Sequence, residues 1–244
     1  MNARPYAEGI KKVHASILAR MGEASGPLFE QQSGKILLVV VAGDKGLCGS
    51  FNANIFKRAK RVIQEHGHDR VTILPVGKKA VSQYLAYPGE RLKGYDGIFR
   101  NVTLQFGEEL TQRLVDAYCG GGYEKVMVLY NMFKNVLVQE ATLTTVLPLS
   151  GEIEEEQEGG PEHLAEPSLE EILEELSPRV VMTQVFQAVL ESCASEHAAR
   201  MTAMDAATKN AKEMIEKLTL EMNKARQAAI TKELIEVVSG AAAL

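Results

Sequence analysis

Between Pro178 and Gly240 the chain carries neither proline nor glycine, so nothing over about 60 consecutive positions interrupts or loosens a helix. One helix over residues 179–244 is the simplest outcome, and at about 1.5 Å per residue it would be roughly 90 Å long. A compact ball made from a chain of this length has a radius of gyration near 18 Å, or about 45 Å across, so the helix is expected to protrude. Along it an apolar or small residue recurs every three or four positions: Met201, Met204, Thr208, Ala211, Ile215, Leu218, Met222, Ala225, Ala229. This is a heptad seam, which favours a left-handed coiled coil and needs a partner helix. Its side chains are soft or small. They make a poor core for a tight two-helix zipper and a better one for a thin rod whose surface is read by other proteins, with an ordinary dimeric coiled coil as the alternative.

Charge narrows the function classes. With 244 residues, 45% hydrophobic and 24% charged, the composition is that of a soluble globular protein. The net charge of −5 argues against a general nucleic-acid binder, which would need a concentrated basic surface. The longest apolar run, residues 36–42, is far short of the ~20 residues a membrane-spanning helix requires, and no secretory signal is expected. Residues 200–233 hold seven Lys or Arg and five acids, so the rod is mildly basic and suited to an acidic partner. Pairs such as Asp205/Lys209 and Glu213/Lys217 share a helical face, where each adds a few tenths of a kcal/mol at most. Cys48, Cys119 and Cys193 are odd in number and widely spaced, a pattern of reduced thiols rather than a disulfide framework. The five histidines show no ligand spacing; His66 and His68 flank a glycine in a turn, and no metal site is expected.

In chain order, residues 3–21 read as a helix with Ile10, Val13, Ile17 and Met21 on one stripe. At under about 30 Å it can cover only the near part of the C-terminal helix. Residues 35–42 form a continuous apolar run suited to a strand buried on both faces of a parallel sheet. A glycine turn, Gly43 to Gly49, follows, and Ser50 is placed to cap a helix with Phe51, Ile55, Ala59 and Val62 facing inward. Strand, turn, helix opens a βα unit. The turn invites a phosphate-binding reading, but its G-x-x-G-x-x-G spacing fits neither nucleotide fingerprint, and the next strand, 71–76, has no acid at its end. Cys48 lies near a helix start, which lowers a thiol pKa; no histidine is placed to serve it, and no catalytic residue or cofactor is expected.

Helices are expected at 78–85 and at 103–118, the latter ended by Gly120, Gly121 and Gly122. Strands are expected at 126–130 and at 136–147, the second antiparallel at a sheet edge. Residues 150–177 hold eleven glutamates and no Lys or Arg. Through Pro161 this stretch reads as a flexible acidic loop, and Leu169, Ile172, Leu173 and Leu176 mark a short helix stopped at Pro178.

Residues 195–204 (Ser-Glu-His-Ala-Ala-Arg-Met-Thr-Ala-Met) and 223–244, which open Asn-Lys-Ala-Arg-Gln-Ala-Ala-Ile-Thr-Lys-Glu-Leu, resemble the C-terminal signature of the gamma subunit of F-type ATP synthase. Asp44-Lys45-Gly46-Leu47-Cys48-Gly49 resembles a second segment of that family, and residues 2–8 resemble a point well inside its N-terminal helix. The family's preceding turns are absent, which leaves the seam beyond roughly Met204 without an intrachain partner. The resemblance implies an α/β fold: a small, mostly parallel sheet domain inserted between N- and C-terminal helices that form an antiparallel coiled coil. The expected segments are a coiled-coil helix at 1–24, an α/β domain at 35–150, an acidic loop and short helix at 151–177, and the long coiled-coil helix at 178–244.

The function so implied is that of a central-stalk rotor subunit, itself non-catalytic, coupling proton-driven ring rotation to ATP synthesis or hydrolysis in the alpha/beta hexamer. Its implied partners are the F1 alpha, beta and epsilon subunits and the membrane c-ring, with no nucleic acid. It would sit peripherally on the cytoplasmic face of the bacterial inner membrane. Residue-by-residue transfer points to Arg200, Arg226, Gln227, Thr231 and Glu233 as contacts to alpha and beta, and to Gly46, Leu47, Cys48 and Gly49 as contacts of the foot to epsilon and the ring. The competing readings are a free-standing α/β nucleotide-binding enzyme with a dimerising helical tail, and a coiled-coil scaffold.

Overall fold

The computed structural model describes residues 3–21, 26–149 and 168–242, which fall into two compact units, Met1–Arg200 and Met201–Leu244. In the first unit the chain runs through α1 (Ala3–Met21), β1 (Gly34–Val41), α2 (Phe51–His66), β2 (Val71–Val76), α3 (Lys78–Gln83), α4 (Leu104–Cys119), β3 (Gly122–Phe133) and β4 (Gln139–Leu147). The last helix, α5 (Leu169–Ala242), begins in this unit and continues through the second.

The four strands form one sheet in the order β2-β1-β3-β4. β1 pairs parallel with β2 and with β3, and β3 pairs antiparallel with β4. Side chains alternate across a strand, so the apolar run of β1 feeds both faces. Leu37, Val39 and Val41 join Leu110, Leu114 and Tyr118 of α4 and Val181, Val185 and Val189 of α5. Ile36, Leu38 and Val40 join Ile55, Ala59 and Val62 of α2 and Ala80 of α3. The result is three layers, helix pair on sheet on helix pair. β1 is covered on both faces, as its unbroken apolar sequence requires.

Several expectations shift by a few residues. The inward face of α2 is as read, but the Ser50 hydroxyl makes no cap bond to the helix and instead accepts from the Asn54 amide at 3.3 Å. Thr103 is the cap that works: its side chain accepts from the Phe106 N–H. α3 stops at Gln83, β4 starts at Gln139 and β3 is longer at both ends than its apolar centre suggests. Gly107 in α4 lets α5 approach, since a Cβ there would stand 2.7 Å from the Phe186 ring. The acidic stretch through Pro161 lies outside the described residues.

Two corrections concern the terminal helices. The chain does not stop at Pro178; α5 passes straight through it. The proline costs about 3 kcal/mol in a helix interior. On either side of it Leu173, Val180 and Val181 are almost fully buried, and each such side chain contributes about 1.5–3 kcal/mol, enough to carry the helix across. In α1 the buried residues are Ala7, His14, Ile17 and Leu18, while Val13 faces solvent. Burial here follows contact with α5. His14 Nε2 lies 3.3 Å from Ser177 Oγ and Ile17 and Leu18 cluster with Leu173, so α5 numbers fall as α1 numbers rise, and the two helices are antiparallel.

Candidate functional site

The loop after β1 is held by its own polar residues. The Asp44 carboxylate accepts from the backbone N–H groups of Lys78 at 2.8 Å, Gly97 at 3.0 Å and Phe99 at 2.8 Å. It thereby ties the start of α3 and the segment before α4 to the end of β1. Asn52, in the first turn of α2, accepts from the Gly43 N–H at 2.9 Å, and its amide reaches back to the Lys45 carbonyl and the Cys48 sulfur. The glycines let the chain fold this tightly, with Gly49 at φ 56° in the left-handed region open to glycine. Leu47 is the exception. It sits at φ 59° without being glycine, and its side chain is 77% exposed. A leucine pays a steric penalty in that region, and strained residues of this kind concentrate at functional positions.

One turn of α5 lies under the loop. Glu196 is 2% exposed, and its Oε1 accepts from Arg200 Nη2 at 2.6 Å and from the Lys45 N–H at 3.4 Å. Cys48 packs with Phe51 and Ala199. Its thiol is pushed up by burial first and by the Glu196 charge second, with Arg200 opposing. The expectation that a helix start would favour the thiolate is therefore reversed. The Ser195 hydroxyl, fully buried, donates to the Asn131 carbonyl at 3.0 Å, and the Asn131 amide donates to the Phe51 carbonyl at 3.3 Å.

Gly46, Leu47, Cys48 and Gly49 thus fall together, with Arg200 beside them through Glu196. Arg226, Gln227, Thr231 and Glu233 lie on α5 in the second unit, all exposed. There the seam is bare: Met214, Ile215, Leu218, Met222 and Leu234 are each more than half exposed. A cleft of ≈ 460 Å³ runs along α5 from Gln187 to His197, walled by Phe99, Val102 and Phe133, and contains none of the expected contact residues. Sequence reading missed Asp44 and Glu196 as organisers. Asp44 sat inside the quoted motif, and Glu196 stands four residues before Arg200, the spacing of a helical ion pair. Among the described residues, no helix is long and apolar enough to cross a membrane.

A three-layer α/β body, together with a helix segment whose apolar seam is exposed among the described residues, has the features of a subunit of a larger assembly. The ATP synthase family model matches residues 1–244. The ATP synthase gamma chain of Geotalea uraniireducens (strain Rf4) is 44% identical over 241 residues, covering 98% of this chain and 84% of that one. That of Chlorobaculum parvum is 42% identical over 251 residues, covering 100% and 86%. Among solved structures, a chain of the Tetrahymena thermophila mitochondrial ATP synthase central stalk and c-ring aligns with TM-score 0.59 at 26% identity, over 85% of this chain and 96% of that one. A chain of the Euglena gracilis mitochondrial ATP synthase aligns with TM-score 0.64 at 20% identity, over 99% and 91%, a likeness of fold. The chain belongs to the ATP synthase gamma chain family. It is a subunit of an enzyme complex, and of the readings open to the sequence the rotor subunit is the one these relatives support, in place of the free-standing nucleotide-binding enzyme.

Proposed function

We propose that this chain is the turning shaft of its synthase and carries no catalytic group itself. The α/β body sits with the epsilon subunit on the membrane c-ring, on the cytoplasmic face of a bacterial inner membrane. The helix of residues 201–242 enters the alpha/beta hexamer, and an asymmetric shaft offers each of three equivalent catalytic pockets a different face. Turning it changes which pocket is open, so rotation and ATP chemistry are coupled through contact energies that differ between states.

The observation that carries this reading is the bare seam. Side chains such as Ile215, Leu218 and Met222 are exposed on this chain, and a run of exposed apolar residues marks an interaction surface. Arg226, Gln227, Thr231 and Glu233 on the same helix are the contacts to alpha and beta, and Leu47, with Gly46, Cys48 and Gly49 shaping its loop, is the contact of the foot. The alanines at 225, 228 and 229 keep the helix thin where a bearing must enclose it.

The test is reconstitution. Added to alpha, beta and the remaining subunits of its synthase in vesicles, this chain should restore ATP-driven proton pumping that is absent without it. Assembly without pumping, or pumping that is equal in its absence, overturns the reading.

A further inference from the structure

We propose that Ser195 and Glu196 are positioning residues: their turn of α5 clamps the helix against rotation within the α/β body and holds the Lys45–Gly49 loop in shape for its partner. The proposal rests on the shaft reading above and adds the side chains through which torque enters the helix.

Much of the packing of α5 against the sheet is apolar, through Val181, Val185 and Val189. Apolar contacts are non-directional, so they resist separation more than rotation about the helix axis. Hydrogen bonds have fixed distances and angles and do resist it. Successive residues in an α-helix point about 100° apart around the axis. Ser195 and Glu196 therefore anchor α5 from two directions, one to β3 through the Asn131 carbonyl and one to the loop after β1 through the Lys45 N–H.

The fit at Glu196 is tight on the side of the body. A Cβ at position 43 would stand 2.6 Å from Glu196 Oε1 and 2.9 Å from its Cδ, so the carboxylate lies directly against the Gly43 backbone. A carboxylate at 2% exposure is costly unless it is paired and hydrogen-bonded. Arg200, one turn further along at 2.6 Å, supplies the pair and holds the carboxylate in place. Ala199 closes the grip by packing on Cys48 and Phe51. One helical turn thus holds segments that lie roughly 65 to 150 positions away in sequence, a density of directional contact that simple core filling does not need.

The experiment uses Glu196→Ala and Glu196→Gln in the full chain. The first readout is amide hydrogen exchange in the Lys45–Gly49 loop, which does not depend on thiol charge; the second is protons pumped per ATP hydrolysed in the reconstituted synthase. Glu196→Ala should free the loop and speed exchange there about tenfold, the effect of losing a charge-assisted buried bond. It should also lower the pumped protons per ATP about fivefold or more, the low end of a typical coupling change. Glu196→Gln keeps an acceptor oxygen facing Lys45 and should restore both toward wild type. Faster exchange with unchanged pumping reduces Glu196 to a structural residue and overturns the proposal, as does reduced pumping with the loop still protected. If Glu196→Ala does not assemble, Ser195→Ala is read in the same way. Failure of the wild-type chain itself to restore pumping is a failure of the shaft reading, and is thereby distinguished from failure of the clamp.

Discussion

The Asp44 carboxylate lies 2.8 Å from the backbone nitrogen of Phe99, a residue 55 positions away in sequence. With its other oxygen on the N–H groups of Lys78 and Gly97, it holds the end of β1, the start of α3 and the segment before α4 in one arrangement. Bonds to a charged acceptor are each worth about 1.5–3 kcal/mol, so Asp44→Ala should destabilise the α/β body by about 3 kcal/mol or more. Asp44→Asn retains one acceptor oxygen and should lose roughly half as much. Urea unfolding at constant m-value measures both, and an Asp44→Ala midpoint equal to wild type would remove Asp44 from its organising role.

Leu47 supports a prediction in which stability and function separate. Its φ of 59° costs a non-glycine residue about 1–2 kcal/mol. Leu47→Gly relieves that strain but adds about 0.4–1 kcal/mol of unfolded-state freedom, so thermal stability should stay level or rise slightly. The exposed leucyl group is lost all the same, and assembly or coupling should weaken by about tenfold if it is a buried anchor in the complex. Unchanged coupling in Leu47→Gly would leave the strained leucine without a function.

How much of this was legible follows from where the contacts lie in sequence. β1 was readable because a strand buried on both faces leaves an unbroken apolar run, and α2 because Phe51, Ile55, Ala59 and Val62 recur at the helical period. These are local signals. The passage of α5 through Pro178 was not readable: the local rule says stop, and the override comes from Leu173, Val180 and Val181 meeting partners in other elements. Val13 failed for a related reason. Its spacing put it on the α1 stripe, yet the stripe that α5 covers is rotated onto His14 and Leu18. The polar organisers were the hardest to see, because Asp44 and Glu196 look like ordinary surface acids until elements 50 or 150 residues distant are brought to them. At the candidate site, a family resemblance pointed to Leu47, Cys48 and Arg200 as proposed contacts, while their mutual arrangement through Glu196 was visible only in the fold.

His14 supplies a pH dependence. It is buried between Phe29, with ring centroids 5.9 Å apart, and Ser177, and burial pushes its imidazole below the ordinary histidine range. The unfolded chain takes up a proton near pH 6.5 that the folded chain refuses until the pH is lower. Between those two values the unfolded state binds more protons, so stability rises with pH. The contribution is therefore complete above about pH 6.5 and declines as pH falls toward the lowered value. His14→Gln should flatten the stability profile between about pH 7 and about pH 5 relative to wild type. Parallel profiles for the two proteins would contradict the assignment.

Residues 201–242 form a helix whose apolar positions are exposed on this chain, and a helix without a packed face draws little stability from propensity alone. In the isolated chain its amides should exchange quickly beyond about Met204, whereas in the assembled synthase the same amides should slow by about a hundredfold or more as partners cover them. Uniform strong protection through Ala225 in the isolated chain would show that the segment needs no partner. Ile215→Pro tests the shaft from the other side. Proline removes a helix bond and clashes with the preceding turn, at about 3 kcal/mol or more, in a stretch where Met214, Ile215 and Leu218 are exposed. The variant should assemble poorly or turn without driving synthesis, so ATP synthesis in reconstituted vesicles should fall by about a hundredfold, the equivalent of that cost. Synthesis at the wild-type rate would mean that torque does not pass through Ile215, and the shaft would have to lie elsewhere.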